Sequence, residues 1–220
     1  MSKNVLIIGA GRFGRYATIQ LHALGHQIMV IDRHEDKINR ILAYASDAGI
    51  GDSTDPSFLK TIGVRNYDLC IVAIGDDLLS SLQTTFALDE LGARRIIARA
   101  TSGRQEKFLL RNGADAVVFP ERELGFWTAI RYSSDNISDY VYLSDGYAIF
   151  ELRVPDRWNG HKIGDLNVRR KYHINILGVR GEAHGSERPE MKMDVHSDTV
   201  FHQGQTILVL GKAEEIQKLL

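Results

Sequence analysis

The sequence predicts an α/β fold, a doubly wound parallel sheet followed by a second, smaller α+β domain. Apolar runs typical of strands buried on both faces alternate with segments whose apolar residues recur at helical spacing. A turn with three glycines follows the first run. Later in the chain two strand-like runs, 140–143 and 148–154, are separated by a four-residue turn, which is typical of an antiparallel hairpin.

The first domain begins with an apolar strand at residues 5–8, which Gly9 ends. A helix is predicted over 12–24, where Gly25 stops it, and the next apolar run, 28–31, closes on Asp32. Six strands alternating with helices predict the doubly wound parallel sheet. The remaining predicted elements are a helix at 35–45, a strand at 48–50, a helix at 56–62, a strand at 69–74, a helix at 78–91, a strand at 95–100, a helix at 106–111, a strand at 116–119 and a helix at 121–132.

The second domain starts where this rhythm changes, near residues 133–138. After the hairpin we predict a helix at 163–172, strands at 174–179 and 207–210, and a helix from 214. The predicted domains are therefore 1–135 and 136–220. Because no low-complexity linker separates them, we expect the second domain to dock closely or to pair with a copy of itself.

Composition excludes several classes of function. Lys plus Arg number 27 against 28 Asp plus Glu, so there is no global positive field that would hold nucleic acid. The single cysteine, Cys70, lies in an apolar run and is predicted to be a buried hydrophobic residue. No apolar run approaches the ~20 residues of a membrane-spanning helix, and no signal peptide is recognised, so a cytoplasmic location is predicted.

The glycine turn carries the main functional signal. Gly9, Gly11 and Gly14 match the spacing G-x-G-x-x-G between a predicted strand and a predicted helix, and Asp32 ends the next strand. Gly9 would permit the tight turn, Gly11 the close approach of phosphates and Gly14 close packing of helix on sheet. This pattern predicts a Rossmann-type site for an adenine nucleotide, with Asp32 on the ribose. Asp32 would repel a 2′-phosphate and so disfavours an NADP-type ligand. Arg33 beside it could bind such a phosphate, so an NADP-type ligand remains an alternative.

Further polar residues follow the other strands, at the edge where open α/β sheets bind ligands. Arg12 and Arg99 are suited to phosphates, with a solvated side chain as the alternative for Arg12. Asp52 and Ser53 either contact the ligand or form a polar turn and a helix cap, and Asp76 and Asp77 resemble first-turn acids of a helix. For Glu121 and Glu123, which follow Pro120, the alternative is again that they are first-turn acids favoured by the helix dipole. The complete predicted nucleotide-binding set is Gly9, Gly11, Arg12, Phe13, Gly14, Asp32, Arg33, Asp52, Ser53, Ala73, Ile74, Gly75, Arg99 and Glu121.

Catalytic groups are scarce. No tyrosine has a lysine four positions on, the stretch 35–160 contains no histidine, and no Cys/His cluster offers a zinc site. We therefore predict a protein that senses its nucleotide and is not an enzyme. An NAD(H)-dependent oxidoreductase is the alternative, and a binding module for a different membrane partner, such as an antiporter, is a third interpretation.

Motifs that together cover essentially the whole chain lie at residues 8–14, 30–32, 51–55, 72–75, 113–115, 119–123, 139–144 and 165–169. They resemble those of the RCK (KTN) domains in regulatory subunits of bacterial potassium uptake systems of the Ktr and Trk type. The resemblance implies an N-terminal Rossmann (RCK-N) domain and a C-terminal RCK-C domain. It also implies homodimers that form an octameric ring at the inner face of the cell membrane, beneath a potassium transporter subunit of the KtrB or TrkH type.

The resemblance also implies ligands. ATP and ADP would compete for the glycine-turn site, with NAD(H) as an alternative, and Arg12 would contact terminal phosphates, including those of a neighbouring chain. Asp52 and Ser53 would lie near the adenine, Arg99 near the phosphates, and Glu121 would help to hold a divalent or monovalent cation.

Some members of the family bind cyclic di-AMP between paired C-terminal domains. In this sequence the corresponding segment is basic and apolar, although a basic run on a short helix is also typical of a solvated face, and the loop at 180–190 departs from the family. The residues expected at that second site are Ile163, Val168, Arg169, Arg170, His173, Ile174 and Asn175.

Overall fold

The computed structural model describes residues 2–182, 189–217 and 219. Most of the loop at 180–190 that departs from the family therefore lies outside the described residues. The chain divides into two compact units between Arg122 and Glu123. The helix that contains Arg122 and Glu123 ends before the predicted domain boundary, which lies between residues 135 and 136. That boundary stays a prediction.

The first unit contains a six-stranded parallel sheet in the order β3-β2-β1-β4-β5-β6. In this order successive strands are added on one side of β1 up to β3 and on the other side from β4 onward, which confirms the predicted doubly wound sheet. Its elements are β1 (Asn4–Ile8), α1 (Arg12–Ala23), β2 (Gln27–Asp32), α2 (Glu35–Asn39), β3 (Asp47–Ile50), α3 (Pro56–Ile62), β4 (Leu69–Val72), α4 (Leu78–Glu90), β5 (Ile96–Arg99), α5 (Gly103–Arg111), β6 (Ala116–Val118) and α6 (Pro120–Arg131), the last of which continues past Arg122.

The central strand β1 shows why its apolar run is continuous. Leu6 and Ile8 pack into one core cluster, whereas Val5 and Ile7 pack into another. Successive side chains of a strand point to opposite faces, so each face of the sheet is covered by helices. Cys70 is fully buried in the first of these clusters, and burial raises the pKa of its thiol to about 12.

The predicted helix at 35–45 is wrong in its extent. α2 ends at Asn39, and a 3₁₀ turn at Leu42–Tyr44 follows. The backbone N–H of Ile41 donates to the carbonyl oxygen of Ile38, three residues back. Because both isoleucines are buried, this tighter turn keeps them on the core side.

The second unit contains an antiparallel sheet in the order β7-β8-β10-β9, which confirms the predicted smaller α+β domain. Its core is aromatic, with Tyr140 tilted on Phe150 and Trp158 stacked on Phe201. Its elements are β7 (Ile137–Tyr142), β8 (Tyr147–Arg153), a 3₁₀ turn (Asp156–Trp158), α7 (Ile163–Leu166), α8 (Val168–Tyr172), β9 (Asn175–Arg180), β10 (Thr206–Lys212) and α9 (Ala213–Gln217).

The single helix predicted over 163–172 is interrupted. Asn167 adopts the left-handed conformation, with φ of 48°, and divides the segment into α7 and α8. Asparagine tolerates this conformation better than most residues, so the helical pattern on both sides hid the break.

Within the described part of the chain, no helix is both long and apolar enough to span a membrane.

Candidate nucleotide-binding site

A cleft of about 230 Å³ lies at the carboxyl edge of the parallel sheet, where the strand order reverses between β1 and β4. The ends of β1, β2, β4 and β5 and the start of α1 contribute to its walls. Most of the predicted nucleotide-binding residues therefore come together in one place. Those that line the cleft are Gly9, Gly11, Arg12, Asp32, Arg33, Asp52, Ser53, Ala73, Ile74, Gly75 and Arg99.

The three glycines of the turn have different physical roles. Gly9 has a φ of 102°, which strongly favours glycine. A Cβ atom on Gly14 would stand 1.9 Å from the carbonyl oxygen of Gly9, so glycine lets α1 pack against the end of β1. A Cβ on Gly11 would meet no atom within 4 Å and, since Gly11 lines the cleft, would occupy space available to a ligand.

The N-terminus of α1 is prepared for an anion. No described side chain caps it, and its first turn carries no acidic residue. The neighbouring helices differ, because Asp55 caps α3, Asp77 caps α4 and Ser102 caps α5. The free N–H groups and the helix dipole at the start of α1 therefore favour a phosphate group.

Asp32 is buried beneath the glycine turn and is held in place by the backbone. Its Oδ2 atom accepts a hydrogen bond from the N–H of Ala10 at 2.9 Å, and its Oδ1 atom accepts one from the N–H of His34 at 2.9 Å. Lys37 Nζ lies 3.9 Å from Oδ2. Each carboxylate oxygen keeps a further lone pair, which suits ribose hydroxyls.

Arg99 is the most enclosed cation of the cleft, with its side chain 15% exposed. Its guanidinium lies over the ring of Phe13, 6.0 Å from the centroid, and Nη2 is hydrogen-bonded to Glu121 Oε1. Its Nε is buried with no hydrogen-bond partner among the described residues. Phe13 and Glu121 therefore contact a residue that lines the cleft, Arg99, without lining the cleft themselves.

Gly75 makes room for Arg99, since a Cβ atom on this residue would stand 2.2 Å from Nη1 of the guanidinium. We expect Gly75→Ala to displace Arg99 and to weaken ADP binding by about fivefold, equivalent to ~1 kcal/mol. The measurement is a calorimetric titration of wild type and variant with ADP. Equal affinities would show that the position of Arg99 does not affect phosphate binding.

The polar residues after β3 and β4 have mixed roles. Asp52 forms a polar turn, in which its Oδ1 accepts from the N–H of Thr54 at 2.9 Å, and this hydrogen bond lowers the pKa of Asp52. Ser53 is buried and shares a hydrogen bond of 2.8 Å with the hydroxyl of Thr84. Asp77 is the N-cap of α4, one position before its first turn, so it belongs to the helix start but is not the predicted first-turn acid.

The structure adds lining residues that the sequence analysis did not place in the site. Ile8 ends β1 and Gly51 directly follows β3, and that position is the signal that would have found them. Lys37 and Ser80 lie on α2 and α4, where the sequence carries no such signal. Gly14 and Glu121 do not line the cleft, and in the described part of the chain no group of three or more His, Cys, Asp or Glu could hold a metal ion, so the cation at Glu121 stays a prediction. The added residues are Ile8, Ile31, His34, Lys37, Gly51, Thr54, Asp76, Asp77 and Ser80.

A second cleft, of about 540 Å³, lies in the second unit around α7, α8 and the start of β9. It brings together most of the residues expected to bind cyclic di-AMP. His173 is not among the residues that line it, and adopts the left-handed conformation with φ of 54°. The expected residues in the lining are Ile163, Val168, Arg169, Arg170, Ile174 and Asn175.

Comparison with solved structures supports the fold. The RCK domain of GsuK superimposes with a TM-score of 0.66 at 20% identity, covering 100% of this chain and 47% of that one. The GsuK channel bound to NAD gives 0.67 at 20% identity, covering 100% and 39%. GsuK bound to ADP gives 0.54 at 20% identity, covering 62% and 36%. This chain thus spans less than half the length of each of these chains.

Sequence comparison extends this likeness to the family. The TrkA-N domain model matches residues 5–120 and the TrkA-C domain model matches residues 147–220. Ktr system potassium uptake protein C of Bacillus subtilis is 38% identical over 219 residues, 99% of this chain and 96% of that protein. Ktr system potassium uptake protein A of the same organism is 32% identical over 217 residues, 99% and 95%. The chain therefore belongs to the RCK (KTN) family of regulatory subunits of bacterial potassium uptake systems, with a TrkA-N and a TrkA-C domain.

Proposed function

We propose that this protein is a cytoplasmic, nucleotide-sensing subunit that gates a membrane potassium transporter through an ATP/ADP-dependent change of conformation. One observation carries the proposal. The uncapped N-terminus of α1, with Gly11 open to the cleft, lies beside the guanidinium groups of Arg12 and Arg99. That arrangement suits a chain of phosphates better than a single neutral group.

The adenine nucleotide is inferred from the remaining walls of the cleft. Asp32 suits the ribose, and Asp52 and Ser53 stand at the end of β3, where the adenine would lie. The GsuK structures were solved with NAD and with ADP, ligands that share an adenosine diphosphate group. We favour ATP and ADP as the physiological ligands because two cations beside the helix N-terminus are suited to terminal phosphates, and NAD(H) is the alternative.

Sensing requires that ATP and ADP bind the two conformations of the protein differently, since a ligand shifts only an equilibrium in which it discriminates. Arg12 is exposed on the first turn of α1, where it is free to reach a γ-phosphate of its own ligand or of one in a neighbouring chain. The γ-phosphate would then favour one arrangement of the assembly.

The assembly itself is part of the proposal. Homodimers would form an octameric ring on the inner face of the membrane, peripheral to it, bound to a partner of the KtrB or TrkH type. Glu121 would hold a divalent or monovalent cation near the phosphates. The cleft around Arg169 and Arg170 would take cyclic di-AMP as a second ligand, its lining being both basic and apolar.

Calorimetric titrations of one sample with ATP, ADP, NADH and cyclic di-AMP test these ligands together. We expect ATP and ADP to compete for one site with different affinities, and cyclic di-AMP to bind independently of them. Equal affinities for ATP and ADP, together with the same structure in both complexes, would contradict sensing. Oxidation of NADH with a carbonyl substrate would instead establish the oxidoreductase alternative.

Arg12→Ala tests the phosphate contact. We expect ATP affinity to fall about tenfold, with a smaller loss for ADP, because a charge-assisted hydrogen bond to a terminal phosphate is removed. Thermal stability should not change, since Arg12 is exposed. Arg15→Ala, one turn along the same helix and outside the cleft lining, is the matched control. Equal losses for the two variants would point to a general charge effect.

A further inference from the structure

The ion pair between Arg99 and Glu121 occupies a guanidinium that also lines the cleft. We propose that Glu121 is an internal competitor of the nucleotide: its carboxylate and a phosphate group exchange on Arg99. This inference rests on the proposed function, since it concerns the same cleft. It assigns to Glu121 a role that is distinct from holding a cation.

Arg99 cannot serve both anions fully. Its guanidinium is confined between the ring of Phe13 and the backbone of Gly75, and its side chain is only 15% exposed. Nη2 is hydrogen-bonded to Glu121, whereas Nε is buried without a partner among the described residues. A carboxylate and a phosphate that shared this one enclosed guanidinium would repel each other at short range.

Glu121 is suited to leave. Its side chain is 57% exposed, so water can replace Arg99 as its partner at little cost. Its own backbone N–H, and then Arg99, hold the pKa of Glu121 below the usual value, so at neutral pH it competes with a full negative charge. A charged carboxylate that is exposed and held by a weak ion pair can be displaced by a phosphate.

The position of Glu121 gives the exchange a route along the chain. Glu121 lies in the first turn of α6, and the chain passes from the first compact unit to the second two residues later, within the same helix. A change of partner at Glu121 therefore acts on the helix that joins the two units. The exchange would report on the presence of a phosphate at Arg99.

Glu121→Gln tests the competition by titration with ADP, ATP and adenosine in a chelating buffer without divalent cations. We expect ADP and ATP to bind about three- to fivefold more tightly, the gain expected when a partly exposed ion pair no longer opposes binding. Adenosine, which has no phosphate, should bind with unchanged affinity. Glu123→Gln, exposed on the same helix, is the matched control and should change nothing.

Combining Glu121→Gln with substitutions of Arg99 tests whether the gain in nucleotide affinity arises at Arg99. In Arg99→Lys, which keeps the charge but loses the fork that binds two acceptors, the gain from Glu121→Gln should shrink, and in Arg99→Ala it should vanish. An equal gain in Arg99→Ala would overturn the proposal, because the effect would then come from Arg12, whose charge also acts on Glu121.

The remaining outcomes separate this inference from the proposed function. Unchanged or weaker binding of ADP and ATP by Glu121→Gln would overturn the competition alone, as long as the wild-type protein binds them. Failure of the wild-type protein to bind either nucleotide would overturn the proposed function itself.

Discussion

Gly11→Ala is expected to lower ADP and ATP affinity by at least about tenfold while the protein folds normally. The added methyl group meets no protein atom within 4 Å, so it causes no steric clash inside the fold. Gly11 nevertheless lines the cleft at the N-terminus of α1, where phosphates must approach the backbone closely. A loss of ~1.4 kcal/mol or more of binding free energy corresponds to that change in affinity. Calorimetric titration measures it, and a thermal melt verifies the fold.

Gly103→Ala is the matched control for this variant. Gly103 is the first residue of α5, and a Cβ there also meets no atom within 4 Å, but Gly103 does not line the cleft. We expect its nucleotide affinity to equal that of the wild type. If Gly11→Ala bound ADP as tightly as Gly103→Ala, the phosphates would not lie at the glycine turn.

Gly14→Ala is expected to destabilise the first unit severely. Its Cβ would stand 1.9 Å from the carbonyl oxygen of Gly9, and backbone rather than a flexible side chain would have to move. Overpacking of a core typically costs 1–3 kcal/mol, and we expect about 3 kcal/mol here because α1 must shift away from β1. The thermal midpoint of that unit should fall by roughly 12 °C.

Gly125→Ala separates this effect from the general consequences of replacing glycine in a helix. Gly125 lies inside α6, and its Cβ would meet no atom within 4 Å. Alanine is favoured over glycine in a helix by up to ~1 kcal/mol, so the control should slightly raise the midpoint of the second unit, to which Gly125 belongs, and leave that of the first unit unchanged. A melting curve of Gly14→Ala that matched the wild type would contradict the packing described for the turn.

The sequence was sufficient to predict the sheet, because β1 shows its burial on both faces as a continuous apolar run. It was also sufficient to predict most of the cleft, since the carboxyl ends of parallel strands gather at one edge. The change from an α-helix to a tighter 3₁₀ turn at Ile41 was not predictable, because the spacing of Ile38 and Ile41 fits both geometries equally. The break in the helix at Asn167 was not predicted either, because the residues on both sides of it fit a helical pattern.

Contacts between distant residues were beyond sequence reasoning. Arg99 is the last residue of β5 and Glu121 lies in the first turn of α6, and nothing in either motif indicates that the two side chains form an ion pair. Lys37 lies near Asp32 only because α2 turns back over the end of β2. Such pairings depend on the arrangement of whole elements, so the individual roles of site residues become testable only with the structure.

Small-angle X-ray scattering of one sample, first saturated with ADP and then with ATP, tests the central claim most directly. The account predicts two different scattering profiles for the wild-type protein, because the γ-phosphate favours one conformation of the assembly. In Arg12→Ala, at nucleotide concentrations that still saturate the site, the two profiles should approach each other. Superimposable wild-type profiles, with both nucleotides shown to be bound, would contradict the claim that this protein senses which nucleotide it holds.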